Sequence, residues 1–307
     1  MSLIVVGTMA FDAIETPFGK SDRIIGGAAT YISWSASNFT KPIHQVSVVG
    51  GDFPEAEMDA LRERGVDLEG VQIKKDEKSF FWSGKYHLDM NTRDTLDTQL
   101  NVLADFDPVL PESYKNAEFL MLGNLVPAVQ LKVISQLNKK PRLTVMDTMN
   151  FWMDTALEDL KKVIQQVDVL MVNDSEARQL SGEYSLVKAA RKIMNMGPKY
   201  LVIKKGEHGA LLFHDQHVFF APALPLEEVF DPTGAGDTFA GGFVGYLAQT
   251  KDISFDNMKN AIIVGSAMAS FCVEKFGTTR LKEITKADIE ERIKEFVQLV
   301  NFEIDFI

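Results

Sequence analysis

The chain has 307 residues, of which 46% are hydrophobic, so it can build one large α/β domain around a sizeable core. It carries 43 acidic and 32 basic residues, a net charge of −11, which argues against a nucleic-acid or anionic-membrane partner. No apolar run reaches the ~20 residues that span a bilayer. The single cysteine, Cys272, excludes a disulfide within the chain, and we expect a reducing, cytoplasmic location.

Hydrophobic periodicity predicts an alternation of strands and helices along most of the chain. Apolar runs predict strands at 3–6, 44–49, 119–122, 143–146, 169–172 and 201–203. Helical spacing predicts helices at 27–39, 54–64, 129–137, 155–166, 176–180 and 186–194. An antiparallel pair at 210–213 and 218–220 follows, and then helices at 257–274 and 286–299. This order indicates an α/β fold, with a doubly wound, mostly parallel sheet flanked by helices.

The stretch 71–102 departs from that alternation. Its pattern has period two, with apolar residues on one face at Phe80, Trp82, Tyr86 and Leu88. Such a pattern predicts a hairpin rather than a buried parallel strand. We expect a single domain over 1–307, with a small β-sheet lid formed by inserts at approximately 10–25 and 71–102. The thin apolar face predicts either a cover over a substrate or a homodimer through the lid.

The segment Asp231–Phe243 reads DPTGAGDTFAGGF and opens a predicted helix. The small residues Gly234, Ala235 and Gly236 let backbone amides approach an anion, and the helix N-terminus adds partial positive charge. Asp237 places a carboxylate beside this anion pocket, where it can take the proton of an acceptor hydroxyl. A glycine-rich turn before a core helix is the simpler interpretation. A carboxylate inside an anion-binding turn, however, repels the anion unless it has a chemical task.

Polar residues follow several predicted strands, at the sheet edge where open α/β sheets bind ligands. They are Asp12, Asn124, Asp147, Asn173 and the Lys204-Lys205-Gly206 turn. Asn173 and Glu176 also have the spacing of a helix capping box. No GxGxxG follows the first strand and the chain has no GxxxxGK[ST] motif, so neither of those two phosphate-binding loops is predicted.

The Asp231–Phe243 string resembles the C-terminal signature of the ribokinase-like (PfkB) carbohydrate kinase family. The resemblance extends in chain order through Asp12, Gly26-Gly27 and the Asn173 to Glu176 motif. It implies transfer of the γ-phosphoryl group of ATP to a hydroxyl of a sugar or sugar-like small molecule, with Mg²⁺. Some relatives also bind a monovalent cation such as K⁺, so the resemblance implies that this chain can bind one.

The same resemblance implies residue roles. The implied catalytic residues are Asp237, as the base, with the amides of Gly234, Ala235 and Gly236. The implied substrate-binding residues are Asp12, Gly26, Gly27, Asn124 and Asp237. The implied nucleotide-binding residues are Asn173, Glu176, Lys204, Gly206, Thr233, Gly234, Gly236, Ala267 and Gly277. Glu176 is implied to face Mg²⁺ through water, and Asp231 and Thr233 to hold the monovalent cation. Family members often have a small hydroxyl residue at Lys204 or Lys205, so the nucleotide contacts there stay open.

Two alternatives remain. One is a nucleoside kinase, which uses the same machinery and adds an aromatic residue that stacks on the base. The candidates for that residue are Trp34, Phe80, Trp82 and Phe151. The other is a catalytically silent sugar- or nucleotide-binding regulator, against which the retained Asp237 argues.

Overall fold

The computed structural model describes residues 2–301, which form two β-sheets with helices packed on the larger one. The strands are β1 (Leu3–Val6), β2 (Ala10–Thr16), β3 (Gly19–Gly26), β4 (Ile43–Gly50), β5 (Val66–Asp67), β6 (Val71–Lys74), β7 (Phe80–Tyr86), β8 (Arg93–Gln99), β9 (Phe119–Leu122), β10 (Leu143–Asp147), β11 (Val169–Asn173), β12 (Tyr200–Lys204), β13 (Ala210–His214) and β14 (His217–Ala221). The helices are α1 (Ala28–Ala36), α2 (Glu55–Glu63), α3 (Pro127–Ser135), α4 (Asn150–Thr155), α5 (Leu157–Ile164), α6 (Asp174–Ser181), α7 (Leu186–Met194), α8 (Ala235–Thr250), α9 (Phe255–Cys272), α10 (Thr279–Glu283) and α11 (Lys286–Val300).

The larger sheet has the strand order β14-β13-β12-β11-β10-β9-β1-β4-β5, and β6 also pairs with β4. Its strands are parallel except for the antiparallel run β12-β13-β14. Successive residues of β1 face opposite hydrophobic clusters: Leu3 and Val5 enter one, Ile4 and Val6 the other. Both faces of the sheet are therefore covered, and the predicted doubly wound α/β fold is confirmed.

Helices α1, α8 and α9 pack on one face of this sheet, and α3, α5 and α7 on the other. Helix α8 lies close to α1, because a Cβ on Gly241 would overlap the carbonyl of Ile32 and one on Gly245 would lie 2.9 Å from the Cα of Ala36. The glycines of α8 thus permit close contact between two helices. This contact fixes the N-terminus of α8 relative to α1.

The second sheet is the lid. Its strand order is β3-β2-β7-β8, with β2 and β7 parallel and the two outer pairs antiparallel. The second lid segment begins at Phe80 rather than at residue 71, because β6 joins the larger sheet through β4. Leu88 was expected to continue the apolar face, but it lies beyond the end of β7 and is 79% exposed.

Two further differences from the sequence predictions concern local backbone. The helix expected at 155–166 is α5, whereas α4 before it was not predicted. Ala156, whose backbone is non-helical (φ −145°, ψ 34°), separates the two helices. Strands β2 and β3 were not identified individually within the expected insert. Within residues 2–301, no helix combines the length and the apolar character needed to cross a bilayer.

Candidate active site

The first turn of α8 is an anion-binding turn. Gly234 precedes the helix at φ 77° and ψ −1°, and a side chain there would overlap the ring of Tyr31. Within residues 2–301, the amides of Gly236 and Asp237 have no hydrogen-bond acceptor, whereas the amide of Ala235 donates to the carbonyl of Pro232 at 3.2 Å. Two unpaired donors at the positive end of a sixteen-residue helix favour an anion at this point.

Lys204 supplies a fixed cation beside this turn. Its Nζ donates to Oδ2 of Asp147 at 2.5 Å and lies 3.0 Å from the position of a Cβ on Gly236. Burial alone would lower the pKa of Lys204, but the carboxylates of Asp147 and Glu176 outweigh it and raise the pKa. The ammonium therefore stays charged next to the anion-binding turn.

Glu176 and Asp147 place two carboxyl groups at neighbouring strand ends. Asn173 Oδ1 accepts the amide of Glu176 at 2.8 Å, and Glu176 Oε2 accepts the amide of Asn173 at 2.6 Å, which completes the predicted capping box. Burial, reinforced by Asp147, raises the pKa of Glu176 to about 7. Carboxylate oxygens are the ligands that Mg²⁺ prefers, and a cation would relieve this buried negative charge. The donor set fits Mg²⁺.

Asp12 lies on β2 of the lid. It is 5% exposed, and its carboxylate occupies the space of a side chain on Gly26. The backbone amide of Gly27, a residue at φ 94°, acts to lower the pKa of Asp12. Burial, followed by the charges of Asp231 and Asp237, raises the pKa of Asp12 to about 8. The structure therefore brings Asp12, Gly26 and Gly27 together with Asp237.

Asp237 lies half-buried in the first turn of α8. Burial is the main cause that raises its pKa to about 7, and Asp147 adds to it. Lys204 and Arg93 act in the opposite direction. A carboxylate that titrates near neutrality beside an anion-binding turn has the properties of a general base.

The lid touches the site at two points. Thr233, which precedes the anion-binding turn, donates its hydroxyl to the Tyr86 oxygen at 3.2 Å. The side chain of Asn91, in the β7–β8 turn, occupies the space of a side chain on Gly206, which lies at φ 57°. The lid therefore rests on both the anion-binding turn and the turn after β12.

Asp231 and Gly277 connect the anion-binding turn to the loop after α9. The carboxylate of Asp231 is fully buried and accepts the amides of Thr233 at 2.9 Å and Gly277 at 3.1 Å. Burial raises the pKa of Asp231. These bonds give Asp231 a structural task in the loop beside the site.

Two predicted site residues, Asn124 and Ala267, have surroundings of another kind. The side-chain oxygen of Asn124 accepts the indole N–H of Trp152 at 2.8 Å, and its amide nitrogen donates to Met149 Sδ at 3.1 Å. Ala267 is fully buried within α9. Neither residue makes a described hydrogen bond to Asp12, Asp237 or Lys204.

The four aromatic residues considered for stacking on a base differ in their surroundings. Trp34 is buried beneath Arg64 and Lys282, and Phe80 packs against the hydrophobic core. Phe151 is 51% exposed and packs edge-on against Trp152. Trp82 is paired with Asp12 across the lid, and its ring lies over Gly84, where any side chain would overlap it. Of the four, Trp82 is the one whose strand position is paired directly with Asp12.

Several residues at this site were not assigned from the sequence. Asp147 was noted only for its place at a strand end and Tyr86 only as part of the apolar lid face, and Tyr31, Asn91 and Arg93 were given no role. The strand-end position was a usable signal for Asp147. The other four reach the site through contacts between distant segments, which no local pattern records.

Comparison with known proteins agrees with this geometry. The sequence profile described as "pfkB family carbohydrate kinase" matches residues 3–285. The chain is 32% identical over 283 residues to the cytidine kinase of Thermococcus kodakarensis, covering 90% of this chain and 98% of that protein.

Two solved structures share the fold. The nucleoside kinase of Burkholderia thailandensis in complex with ADP-inosine superposes with a TM-score of 0.76 at 20% identity, covering 95% of each chain. A putative ribokinase II from E. coli in complex with ATP and Mg²⁺ gives a TM-score of 0.75 at 18% identity, covering 97% of this chain and 99% of that one. With these matches, and with the profile spanning residues 3–285, the chain belongs to the pfkB family of carbohydrate kinases.

Proposed function

We propose that this chain is an ATP-dependent nucleoside kinase, which phosphorylates a hydroxyl on the ribose unit of a nucleoside. The observation that carries the proposal is the pairing of Asp12 with Trp82 on one face of the lid. A carboxylate can accept two hydroxyl hydrogen bonds from a ribose ring, and a flat indole beside it can stack on a base. The names of the cytidine kinase relative and of the nucleoside kinase with ADP-inosine support this substrate class.

The residues of the site divide the chemistry among them. Asp237 takes the proton of the acceptor hydroxyl as that oxygen bonds to the γ-phosphorus and the bond to the β-phosphate oxygen of ATP breaks. The amides of Gly236 and Asp237, with the ammonium of Lys204, hold the charge on the transferring phosphoryl oxygens. Bound Mg²⁺ supplies charge neutralisation on the phosphates, and Asp147 and Glu176 are the residues that would hold it, Glu176 through water.

The decisive experiment is ADP release with Mg²⁺·ATP across cytidine, uridine, adenosine, inosine, D-ribose and hexoses. We expect at least one nucleoside to exceed D-ribose in kcat/KM by ~10-fold or more, the scale of one stacked base. In Trp82→Ala this preference is lost, in Trp82→Phe it is retained, and Phe18→Ala is the control, because Phe18 is an exposed lid residue in the β2–β3 turn.

Two results would contradict this proposal, and each would favour a different function. If free sugars are phosphorylated as efficiently as every nucleoside and Trp82→Ala changes nothing, the enzyme is a sugar kinase. If ligands raise the melting temperature but no acceptor releases ADP, the chain is a silent binding protein.

We further propose a homodimer formed through the lid. Strand β8 is a free edge of the small sheet, all its residues are exposed, and Leu96 and Leu100 are 58% and 48% exposed. An open strand edge with apolar side chains is a surface that a second copy can pair with. Light scattering on the purified protein should give twice the chain mass, and Leu96→Glu should give the single mass. A monomeric wild type would refute the dimer.

We also propose that a monovalent cation such as K⁺ binds near Asp231 and Thr233. The buried carboxylate of Asp231 is balanced only by backbone amides among the described residues, so added positive charge there would stabilise the loop. Replacing K⁺ by tetramethylammonium at constant ionic strength should lower kcat, and unchanged kcat would refute this site.

The reaction is proposed to take place in the cytoplasm. The only cysteine, Cys272, is buried as a free thiol, as expected in a reducing compartment that also supplies ATP. Fractionation of the source cells should recover the protein with cytoplasmic markers. Recovery with the membrane or secreted fractions would contradict this location.

A further inference from the structure

Tyr31 lies between the two halves of the site. It belongs to the first turn of α1, where its amide donates to the carbonyl of Gly27 at 3.2 Å. Gly27 follows Gly26, whose missing side chain leaves space for the carboxylate of Asp12. Burial raises the pKa of the Tyr31 hydroxyl, and Asp12 is the largest of the charges that add to this effect. Tyr31 is therefore close enough to the acceptor side of the site to be influenced by the charge of Asp12.

The ring of Tyr31 supports the anion-binding turn. A Cβ on Gly234 would lie 2.5 Å from both Cδ2 and Cε1 of Tyr31, which are opposite corners of the ring. The backbone of Gly234 therefore stands over the face of the ring. Gly234 has a left-handed backbone at φ 77°, and its carbonyl accepts the amide of Thr238 at 2.7 Å as α8 begins. The ring thus contacts the residue from which the amides of the turn take their direction.

Helices α1 and α8 are held together next to this contact. Ser35, one turn after Tyr31, donates its hydroxyl to the carbonyl of Thr238 at 2.7 Å. A Cβ on Gly241 would lie only 2.7 Å from the Cβ of Ser35, so the two helices cannot approach further. Tyr31 itself is 1% exposed. Because this interface is closely packed, the ring fixes how far the turn lies from the start of α1.

The hydroxyl of Tyr31 adds no hydrogen bond to this contact. In the part of the chain that the structure describes, the oxygen is buried and has no hydrogen-bond partner. A buried hydroxyl without a partner lowers stability instead of raising it. The packing of the ring is therefore what holds the turn.

We propose that Tyr31 is a positioning residue for phosphoryl transfer, whose ring fixes the distance between the anion-binding turn and the acceptor bound by Asp12. Transfer requires the acceptor oxygen and the γ-phosphorus to lie ~3–3.5 Å apart and in line, and a displacement of ~1 Å can cost ~100-fold in rate. Tyr31 acts through Gly234 and not by contact with a reactant. The inference rests on the kinase reaction proposed above, and it adds the residue that aligns the two reactants.

The test compares Tyr31→Met and Tyr31→Leu, which lack a flat face but fill buried space, with Tyr31→Phe, which keeps the ring. Phe119→Met is the matched control. Phe119 is a fully buried ring of the same hydrophobic cluster, but it begins β9, at the end of the sheet opposite to the site. In Tyr31→Met and Tyr31→Leu we expect kcat to fall by ~10-fold or more while the acceptor KM changes less than ~3-fold. Tyr31→Phe and Phe119→Met should keep the wild-type kcat.

Hydrogen exchange makes the test independent of the acceptor. The peptide that covers residues 235–238 reports how firmly the anion-binding turn is held in the apoprotein. In Tyr31→Met its amides should exchange ~10-fold faster than in wild type, because local opening of the turn requires less free energy. In Tyr31→Phe and Phe119→Met the exchange of this peptide should not change.

Three results would overturn the proposal. They are an unchanged kcat in Tyr31→Met and Tyr31→Leu, an equal loss in Phe119→Met, which would show a general effect of core packing, and an equal loss in Tyr31→Phe, which would assign the role to the hydroxyl. If wild type phosphorylates no acceptor, the proposed function fails, and the exchange rates still decide whether Tyr31 holds the turn.

Discussion

The carboxylate of Asp12 stands in the space that a side chain on Gly26 would fill. The next residue, Gly27, has φ 94°, and a Cβ there would lie 2.5 Å from the carbonyl oxygen of Thr8. The glycine pair therefore shapes the position of Asp12, in addition to opening α1. We therefore expect the glycine pair to affect acceptor binding through the carboxylate of Asp12, for which it leaves space.

Gly26→Ala should displace Asp12 and weaken acceptor binding. We expect the acceptor KM to rise by ~10-fold or more, the loss of at least one hydrogen bond to a charged group, with AMP-PNP affinity unchanged. A double-mutant cycle with Asp12→Asn checks the cause. If Gly26 acts through Asp12, Gly26→Ala adds little in the Asp12→Asn background. Additive losses would assign Gly26 a separate role.

Asp237→Asn should remove the base and keep the fold. We expect turnover to fall by at least ~100-fold, the low end of general-base contributions, because the amide cannot take the acceptor proton. Calorimetry should show AMP-PNP still bound. Asp256→Asn is the matched control, since Asp256 is also acidic and lies in the first turn of α9, away from the site. Undiminished turnover in Asp237→Asn would remove Asp237 from its role.

The activity should rise with pH around neutrality. Burial raises the pKa of Asp237 to about 7, so its carboxylate is mostly protonated one unit below that value. Only the ionised form accepts a proton, and kcat is therefore expected to rise by about tenfold between pH 6 and pH 8 and then level. A pH–rate profile at saturating substrates measures this. A kcat that falls over the same range would contradict the assignment.

The apoprotein should show the opposite pH trend in stability. The pKa of Asp12 is raised to about 8 in the folded state, and those of Asp237 and Glu176 to about 7, so the folded chain binds more protons than the unfolded chain above about pH 4. The free energy of unfolding should therefore fall as the pH rises from about 4 to 8. Asp12→Asn should raise the melting temperature at pH 8 more than at pH 5, and an equal shift at both would refute this linkage.

Lys204→Met should weaken the binding of the triphosphate. The ammonium lies next to Gly236 in the anion-binding turn, and its removal also leaves Asp147 without its partner. We expect AMP-PNP affinity to fall by ~10-fold or more, as for a lost charge-assisted contact. Lys205→Met is the control, because Lys205 is the adjacent lysine and lies over the ring of Phe220. Equal losses in both variants would show a general charge effect.

The cluster of polar residues at one edge of the larger sheet could be predicted from the sequence, because it follows from the order of the strands. Asp147, Asn173 and Lys204 end β10, β11 and β12, which are neighbours in the sheet, so their side chains converge at one edge. Asn124 follows β9 in the same way, but its oxygen accepts a hydrogen bond from Trp152. Trp152 lies on α4, a helix that the sequence pattern did not predict. The position of Asn124 after β9 was predicted correctly, but its hydrogen-bond partner was not, because that partner lies on the unpredicted helix α4.

The contacts of the lid could not be predicted from the sequence, and the reason differs from that for Asn124. Alternation predicted that the segment around Phe80 and Trp82 is extended, but it contains no information on the partner strand. The parallel pairing of β7 with β2 and the bond between Thr233 and Tyr86, 147 residues apart, depend on the completed fold. Arg93, which sequence reasoning gave no role, likewise reaches the lid sheet through the pairing of β8 with β7.

The double contact of the lid has a kinetic consequence. Tyr86 rests against Thr233 and Asn91 against Gly206, so one lid covers both turns. We expect the release of ADP to require the separation of both contacts. We therefore expect reopening of the lid, rather than formation of the new ester bond, to limit turnover. Rapid mixing should accordingly reveal a pre-steady-state burst of one equivalent of product, followed by a slower linear phase.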